Sequence, residues 1–166
     1  MHSRRWVPAY VALGSNLDDP RAQVERALAA LDDLPDTRCV LRSSLYRTRP
    51  FGPVEQPDFV NAVAGVLTLL DPATLLSRLK ALEAQLGRER PVVRWGPRRI
   101  DLDLLVHGDA RVSQPDLAVP HPGIAERAFV LVPLAEIAPD LVVPGAGRVR
   151  DLLGRVDSTD LERLAV

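Results

Sequence analysis

Two periods organise the apolar positions of this chain. Val7 to Leu13 is a short, nearly continuous apolar run, which predicts a buried strand closing in the turn Gly14-Ser15-Asn16. Asp19-Pro20 then supplies a helix start, a capping side chain followed by a proline whose missing N–H costs nothing in the first turn. Val24, Ala27, Leu28, Leu31 and Leu34 follow at helical spacing until Pro35 stops the run. Residues 39–47 are mixed but strand-like, and residues 48–58, with three prolines and a glycine, predict a loop. Phe59 to Leu69 has a period of two. Phe59, Asn61 and Val63 share one face, and Val60, Ala62 and Ala64 the other.

The helix-start signature returns at Asp71-Pro72, followed by a single stripe of Leu75, Leu79, Leu82 and Leu86 and a stop at Gly87. Residues 88–99 read as irregular. Ile100 to His107 predicts a strand with strict alternation, with Ile100, Leu102, Leu104 and Val106 on one face and Asp101 and Asp103 on the other. Beyond Gly108-Asp109 come a short extended piece, the Val119-Pro-His-Pro122 segment, a helical stretch over about 124–137 and a tail. The order β-α-β-β-α-β predicts an α+β fold of the ferredoxin-like type. It consists of an antiparallel sheet with helices on one face and a C-terminal extension, in a single domain spanning residues 1–166. That architecture hosts many functions, so the chemistry has to be read from side chains.

Composition narrows the classes. Apolar residues make up 46% and charged residues 26% of the 166, as in a folded globular chain and unlike a disordered one. With 21 basic and 22 acidic side chains the net charge is −1, so no global basic field draws nucleic acid or acidic lipid. Cys39 stands alone, which leaves no disulfide framework and no thiolate metal cage. No apolar run approaches the ~20 residues of a membrane span. The opening Met-His-Ser-Arg-Arg-Trp leads into Pro8 and Gly14-Ser15-Asn16 rather than a small-residue cleavage site, so a first strand is expected there and not a secretory leader. A cytoplasmic protein without nucleic-acid or membrane partners is the expectation. Lys80 is the only lysine among the 21 basic residues. Arginine-rich coding explains that total, and only the placement of the arginines carries information.

That placement is uneven. Arg88, Arg90, Arg94, Arg98 and Arg99 crowd the irregular segment just before the strand that bears Asp101 and Asp103. Two carboxylates two residues apart on one strand face repel each other unless a cation sits between them. Mg²⁺ commonly takes one or two protein carboxylates and fills its shell with water and substrate phosphates. Guanidinium forks beside such a pair suit a polyphosphate. Read alone, each feature also fits a plain surface: a bare Asp-x-Asp can be a solvated strand face, and the arginines a solvated loop or a nucleic-acid patch. Trp95 within the charged loop weakens that reading, since an indole there needs a surface to stack on. Phe59 and Asn61 pair a stacking ring with a donor–acceptor edge, which a flat heterocycle requires, or are a core phenylalanine and a strand-end asparagine. His121, between two prolines and six residues before Arg127, is either structural or a phosphate contact. No phosphate loop, dinucleotide fingerprint or nucleophile elbow is present.

In combination the segments become specific. Ala9-Tyr-Val-Ala-Leu-Gly-Ser-Asn16, Tyr46-Arg-Thr48, Gln56-Pro-Asp-Phe-Val-Asn61, Gly87-Arg-Glu-Arg90, Arg94-Trp-Gly-Pro-Arg98 and Ile100-Asp-Leu-Asp-Leu104 occur in that order. Val119-Pro-His-Pro122, Arg127-Ala-Phe129 and Pro133-Leu-Ala-Glu-Ile-Ala-Pro139 follow. From about residue 9 to residue 145 the chain resembles the 6-hydroxymethyl-7,8-dihydropterin pyrophosphokinases of folate synthesis. The resemblance implies transfer of the β- and γ-phosphates of ATP, as one unit, to the hydroxymethyl oxygen of the pterin, leaving AMP. It implies two Mg²⁺ ions on Asp101 and Asp103, with Arg88 and Arg98 on phosphate oxygens. It implies Arg90, Arg94, Trp95, Glu83, Leu104, His121 and Arg127 at the ATP site. Phe59 and Phe129 would hold the pterin ring and Asn61 its edge, with Gly14, Thr48, Phe51 and Trp95 lining the same pocket. Residues 48–58 and 88–99 would be loops that close over the substrates and exclude water. A monomer is implied as well.

The chain departs from the pattern at a few places. Phe59 stands where some members have tyrosine, Arg49 where others have proline and Pro122 where some have an aromatic, and Lys80 and Asp116 replace other nucleotide contacts. Two further classes remain open at this point: a different Mg²⁺-dependent phosphoryl or nucleotidyl transferase, and a non-catalytic ferredoxin-like binding module. The aromatic-rich pattern of an RNA-binding sheet is not found.

Overall fold

The computed structural model describes residues 4–17, 19–49, 55–87 and 100–165. The chain runs β1 (Val7–Ser15), α1 (Pro20–Leu31), β2 (Thr37–Arg42), β3 (Tyr46–Thr48), β4 (Phe59–Thr68), α2 (Pro72–Gly87) and β5 (Asp101–His107). A hairpin of β6 (Val112–Gln114) and β7 (Leu117–Val119) follows, then a 3-10 turn (Ile124–Glu126) and α3 (Ala128–Ile137). The tail forms β8 (Val142–Val143), β9 (Gly147–Arg148), α4 (Val149–Leu153) and β10 (Glu162–Arg163). The main sheet is antiparallel, in the order β10-β3-β4-β1-β5, with β2 also pairing β4.

Both expected helix starts form. The Asp19 carboxylate accepts from the Ala22 amide, and the Asp71 carboxylate from the Thr74 amide at 2.7 Å, each satisfying a first-turn donor. The strand-like stretch before the loop is two strands in one line. β2 pairs with the C-terminal half of β4 and β3 with its N-terminal end. Ser43 bridges the break, its amide donating to the Val63 carbonyl and its hydroxyl accepting from the Val63 amide.

The two helices of the first part of the chain share one face of the sheet, and the C-terminal extension adds a helical layer on the other. Val24, Ala27, Leu28 and Leu31 of α1 and Leu75 and Leu79 of α2 bury one face of the sheet, against Ala9, Val11, Leu13 and alternate residues of β4. Val130, Leu131 and Leu134 of α3, with Val149 and Leu152 of α4, bury the other, against Val63, Leu105 and Val106. The reason lies in β4, which is apolar on both faces. A single helical layer would leave Val63 and its neighbours on β1 and β5 in water, at roughly 25 cal/mol per Å² of apolar surface.

Strict alternation along β5 is corrected. Val11 pairs with Leu104 but Tyr10 pairs with Val106, so Leu105 is a bulge residue without a partner on β1. The extra residue turns Val106 away from Leu104 and into the α3–α4 cluster. The helical stretch expected over 124–137 is interrupted at Arg127, whose backbone is extended (φ −111°, ψ 100°) between the 3-10 turn and α3.

One carboxylate ties the C-terminal layer to the sheet. Glu136 of α3 accepts from the Tyr46 hydroxyl at 2.6 Å, the Ser44 hydroxyl at 2.8 Å and the Ser44 amide at 3.0 Å, with Arg163 of β10 at 3.7 Å. Burial pushes the Glu136 carboxyl up, but the Tyr46 and Ser44 hydrogen bonds and the Arg163 charge outweigh it, leaving it below its ordinary value. Burial, and then Glu136, push the Tyr46 hydroxyl up to about 12. A carboxyl depressed in the folded state stabilises above its unfolded pKa and loses that contribution as pH falls through the folded one. Glu136→Gln is therefore expected to flatten the acid limb of the stability profile below the ordinary carboxylate range. The check is the urea midpoint of both proteins against pH, and parallel acid limbs would overturn the assignment.

Candidate functional site

β1, β4 and β5 end together on the face covered by α3, and there they wall a cavity of about 630 Å³. Register puts the side chains in place. Gly14 of β1 lies between Asn61 of β4 and Asp101 of β5, and Ala12 lies between Val63 and Asp103. The cavity brings together Gly14, Thr48, Phe59, Asn61, Asp101, Asp103, His121, Arg127 and Phe129, all of which the sequence had marked. Phe51, Arg88, Arg90, Arg94, Trp95 and Arg98 lie outside the described residues. So do residues 50–54 of the first expected closing loop and the whole of the second.

The end of the cavity near β3 is built around a carboxamide. Asn61 is 7% exposed, and its Nδ2 donates to the Thr48 hydroxyl at 2.6 Å. Its Oδ1 lies over Gly14, where an added Cβ would stand only 2.8 Å away. Glycine at 14 is thus what leaves room for the Asn61 carbonyl. Phe59 and Phe129 line the same space, the first from the sheet and the second from the start of α3. The break before α3 lets Arg127 reach back, with its guanidinium 5.8 Å from the Phe129 ring centre.

The opposite end is ionic. Asp101 and Asp103 are half-buried on one strand face, as the alternation implied. Lys80 of α2 sits beside them, its ammonium 3.5 Å from Asp103 Oδ1, 3.2 Å from Glu83 Oε2 and 2.9 Å from the Leu102 carbonyl. Burial pulls the Lys80 pKa down, but Asp103, Glu83 and Asp101 outweigh it and leave it above the ordinary value. His121 faces the same carboxylate. Its Nδ1 accepts from the Gly123 amide at 3.0 Å, so a neutral ring carries its proton on Nε2. Burial holds the His121 pKa below its ordinary value, with Asp103 pulling upward and Arg127 and Lys80 pushing down.

These residues suit a hard divalent cation. Asp101 and Asp103 offer oxygen donors on one face, and Asp103 already has a cation against it. No group of three or more metal-ligating side chains gathers among the described residues. A metal held here would have to fill its shell from water and phosphate, as Mg²⁺ commonly does.

Two marked residues lie away from the cavity. Leu104 is buried in the α1–α2 core, and the bulge residue Leu105 takes the cavity wall instead. Glu83 turns its carboxylate to the Leu102 amide at 2.8 Å and to Lys80. Sequence reasoning missed others. Asn16 is 1% exposed, and its Nδ2 donates to Gln56 Oε1 at 2.7 Å and to the Pro57 carbonyl at 3.0 Å. It fastens the end of the 48–58 segment to β1, so that Gln56 and Phe59 line the cavity. Arg49, Glu126 and Val130 line it as well. An asparagine directly after a buried strand was a visible signal for the first of these, while Arg49 is placed by the end of β3 and Glu126 and Val130 by the packing of α3.

Comparison with known proteins shows which family the chain falls in. Residues 10–139 match the family model for 7,8-dihydro-6-hydroxymethylpterin-pyrophosphokinase. The 2-amino-4-hydroxy-6-hydroxymethyldihydropteridine pyrophosphokinase of Pseudomonas aeruginosa is 49% identical over 155 residues, 93% of this chain and 95% of that one. Its Haemophilus influenzae counterpart is 45% identical over 147 residues, 89% of this chain and 91% of the relative. Among solved structures, the wild-type Plasmodium falciparum HPPK-DHPS with pteroate superposes with a TM-score of 0.77 at 14% identity. The match covers all of this chain and 47% of that one, so it speaks for the fold alone and this chain spans under half of that protein. The chain belongs to the 7,8-dihydro-6-hydroxymethylpterin-pyrophosphokinase family.

Proposed function

We propose that this chain transfers the pyrophosphoryl group of ATP to the hydroxymethyl oxygen of 6-hydroxymethyl-7,8-dihydropterin in folate biosynthesis, and that it does so in the cavity at the ends of β1, β4 and β5. Membership of the family, with relatives of that activity at 45–49% identity over nearly the whole chain, carries the reaction. One observation carries the location: a single cavity joins an aromatic–carboxamide end to a carboxylate–cation end. A flat heterocycle needs the first and a polyphosphate the second.

In this reading the pterin lies against Phe59 and Phe129, and Asn61, held by Thr48 and given room by Gly14, reads its edge. Asp101 and Asp103 hold two Mg²⁺ ions, which when bound supply charge neutralisation at the triphosphate. His121, with Nε2–H free to donate, and Arg127 hold phosphate oxygens from the α3 side. Arg88, Arg90, Arg94 and Arg98 contact phosphates, Phe51 lines the pterin pocket, Trp95 closes over the substrates, and Glu83 and Leu104 support the nucleotide site from α2 and β5. No side chain is required as a general base, because alignment of the hydroxymethyl oxygen with the β-phosphorus does most of what the protein must do. The β1-α1-β2/β3-β4-α2-β5 order supports the ferredoxin-like description, with the α3–α4 layer as the extension that roofs the site. We also propose a monomer in the cytoplasm. The lone Cys39 agrees with a reducing compartment, and no helix among the described residues is long and apolar enough to cross a membrane.

The test is a nucleotide readout. With ATP, Mg²⁺ and 6-hydroxymethyl-7,8-dihydropterin, AMP is expected, and only when the pterin is present. ADP as product would overturn the reaction while keeping the phosphate site. ATP binding without any product would overturn the acceptor.

A further inference from the structure

Lys80 and Glu83 have no part in the reaction as set out so far beyond general support, yet they make a closed ring with β5. Among the described residues no strand pairs β5 on the side away from β1. The Leu102 peptide groups on that side are instead taken by two side chains one helical turn apart on α2. The Leu102 amide donates to Glu83 Oε2 at 2.8 Å, the Leu102 carbonyl accepts from Lys80 Nζ at 2.9 Å, and Lys80 and Glu83 pair at 3.2 Å. Leu102 is the residue between Asp101 and Asp103, so the groups clamped are those that set the spacing and direction of the two carboxylates. The Lys80 ammonium also reaches Asp103 Oδ1 at 3.5 Å.

We infer that Lys80 and Glu83 are positioning residues for the carboxylate pair: together they stand in for a missing edge strand at Leu102, and Lys80 is the resident counter-ion that Asp103 exchanges for a metal. This rests on the reading of Asp101 and Asp103 as metal ligands. Three anchors make the exchange possible. When Asp103 turns to a metal, Lys80 keeps Glu83 and the Leu102 carbonyl, so the ammonium stays in place beside the phosphate site and the strand stays clamped. Glu83 in turn restrains Lys80, and without its charge the ammonium would compete harder for Asp103. The arrangement predicts opposite effects for the two partners. Removing Lys80 removes a competitor of the metal and a support of the strand at once. Removing the charge of Glu83 strengthens the competitor.

The test is Mn²⁺ binding followed by electron paramagnetic resonance, in the presence of α,β-methylene ATP, with turnover measured in parallel. Lys80→Met is expected to tighten Mn²⁺ binding about fivefold, the size of one charge acting in a partly solvated site, and Glu83→Gln to weaken it by a similar factor. Turnover at saturating metal is expected to fall about tenfold in Lys80→Met despite the tighter binding, because the carboxylates are less well placed. Lys80→Arg, which keeps the charge, is expected to restore the wild-type Mn²⁺ affinity. Metal affinity, turnover and thermal midpoint all falling together in Lys80→Met would reduce the ring to a structural contact and overturn the inference. Shifts of the same sign in Lys80→Met and Glu83→Gln, or none, would also overturn it. Wild type and Asp103→Ala binding Mn²⁺ alike would remove the metal reading itself, and this inference with it.

Discussion

Asp103→Ala is expected to lower turnover by about a thousandfold, the upper range for losing one group that stabilises developing charge, while the protein stays folded. Asp103 stands where β5 meets the cavity, outside both apolar clusters, and its side chain is 42% exposed. Alanine there leaves the strand pairing with Ala12 intact and creates no buried hole. The variant removes one of two carboxylates that share a face, and leaves Lys80 held by Glu83 and the Leu102 carbonyl. The loss should therefore fall on turnover and metal dependence and not on pterin binding, because Phe59, Asn61 and Phe129 serve the other half of the cavity. AMP release with and without added Mg²⁺, alongside a thermal melt, checks this. Near-normal turnover in a folded variant would refute the metal assignment.

How much of this was legible in the sequence depended on whether a feature is local. Helix starts at Asp19-Pro20 and Asp71-Pro72, the period of β4 and the carboxylate face of β5 are written in neighbouring residues, and they stand where the pattern places them. Where the helical stretch of the C-terminal extension would pack was not read, because a period of two says which residues share a face and not what covers it. The bulge at Leu105 was invisible for a related reason. An Ile-Asp-Leu-Asp-Leu-Leu-Val run is compatible with strict alternation, and only pairing with Tyr10 and Val11 reveals the extra residue. The site itself was legible as types and order. Its internal bonds were not, since Asn61 to Thr48, Asn16 to Gln56 and Lys80 to Leu102 each join residues far apart in the chain.

The second large effect is expected at Asn61. Asn61→Leu keeps the branched four-atom skeleton and removes the carboxamide, and kcat/KM for the pterin should fall about a hundredfold. A site built to hydrogen-bond its substrate loses far more than one that only packs against it. Two costs combine. The substrate edge loses its partner, and the Thr48 hydroxyl, 6% exposed, loses the donor that held it at 2.6 Å. An unpaired buried hydroxyl costs ~1–3 kcal/mol, so the thermal midpoint should fall as well. Affinity for α,β-methylene ATP should change by less than about twofold, because among the described residues the ionic end of the cavity shares no hydrogen bond with Asn61. Gly14→Ala acts from the other side of the same carboxamide: its new Cβ at 2.8 Å forces the Asn61 carbonyl to move without deleting it. That variant should show the same selectivity with a smaller loss, and should leave the Thr48 contact to absorb the shift. If Asn61→Leu weakened ATP-analogue binding as much as pterin turnover, the division of the cavity into a heterocycle end and a phosphate end would be wrong.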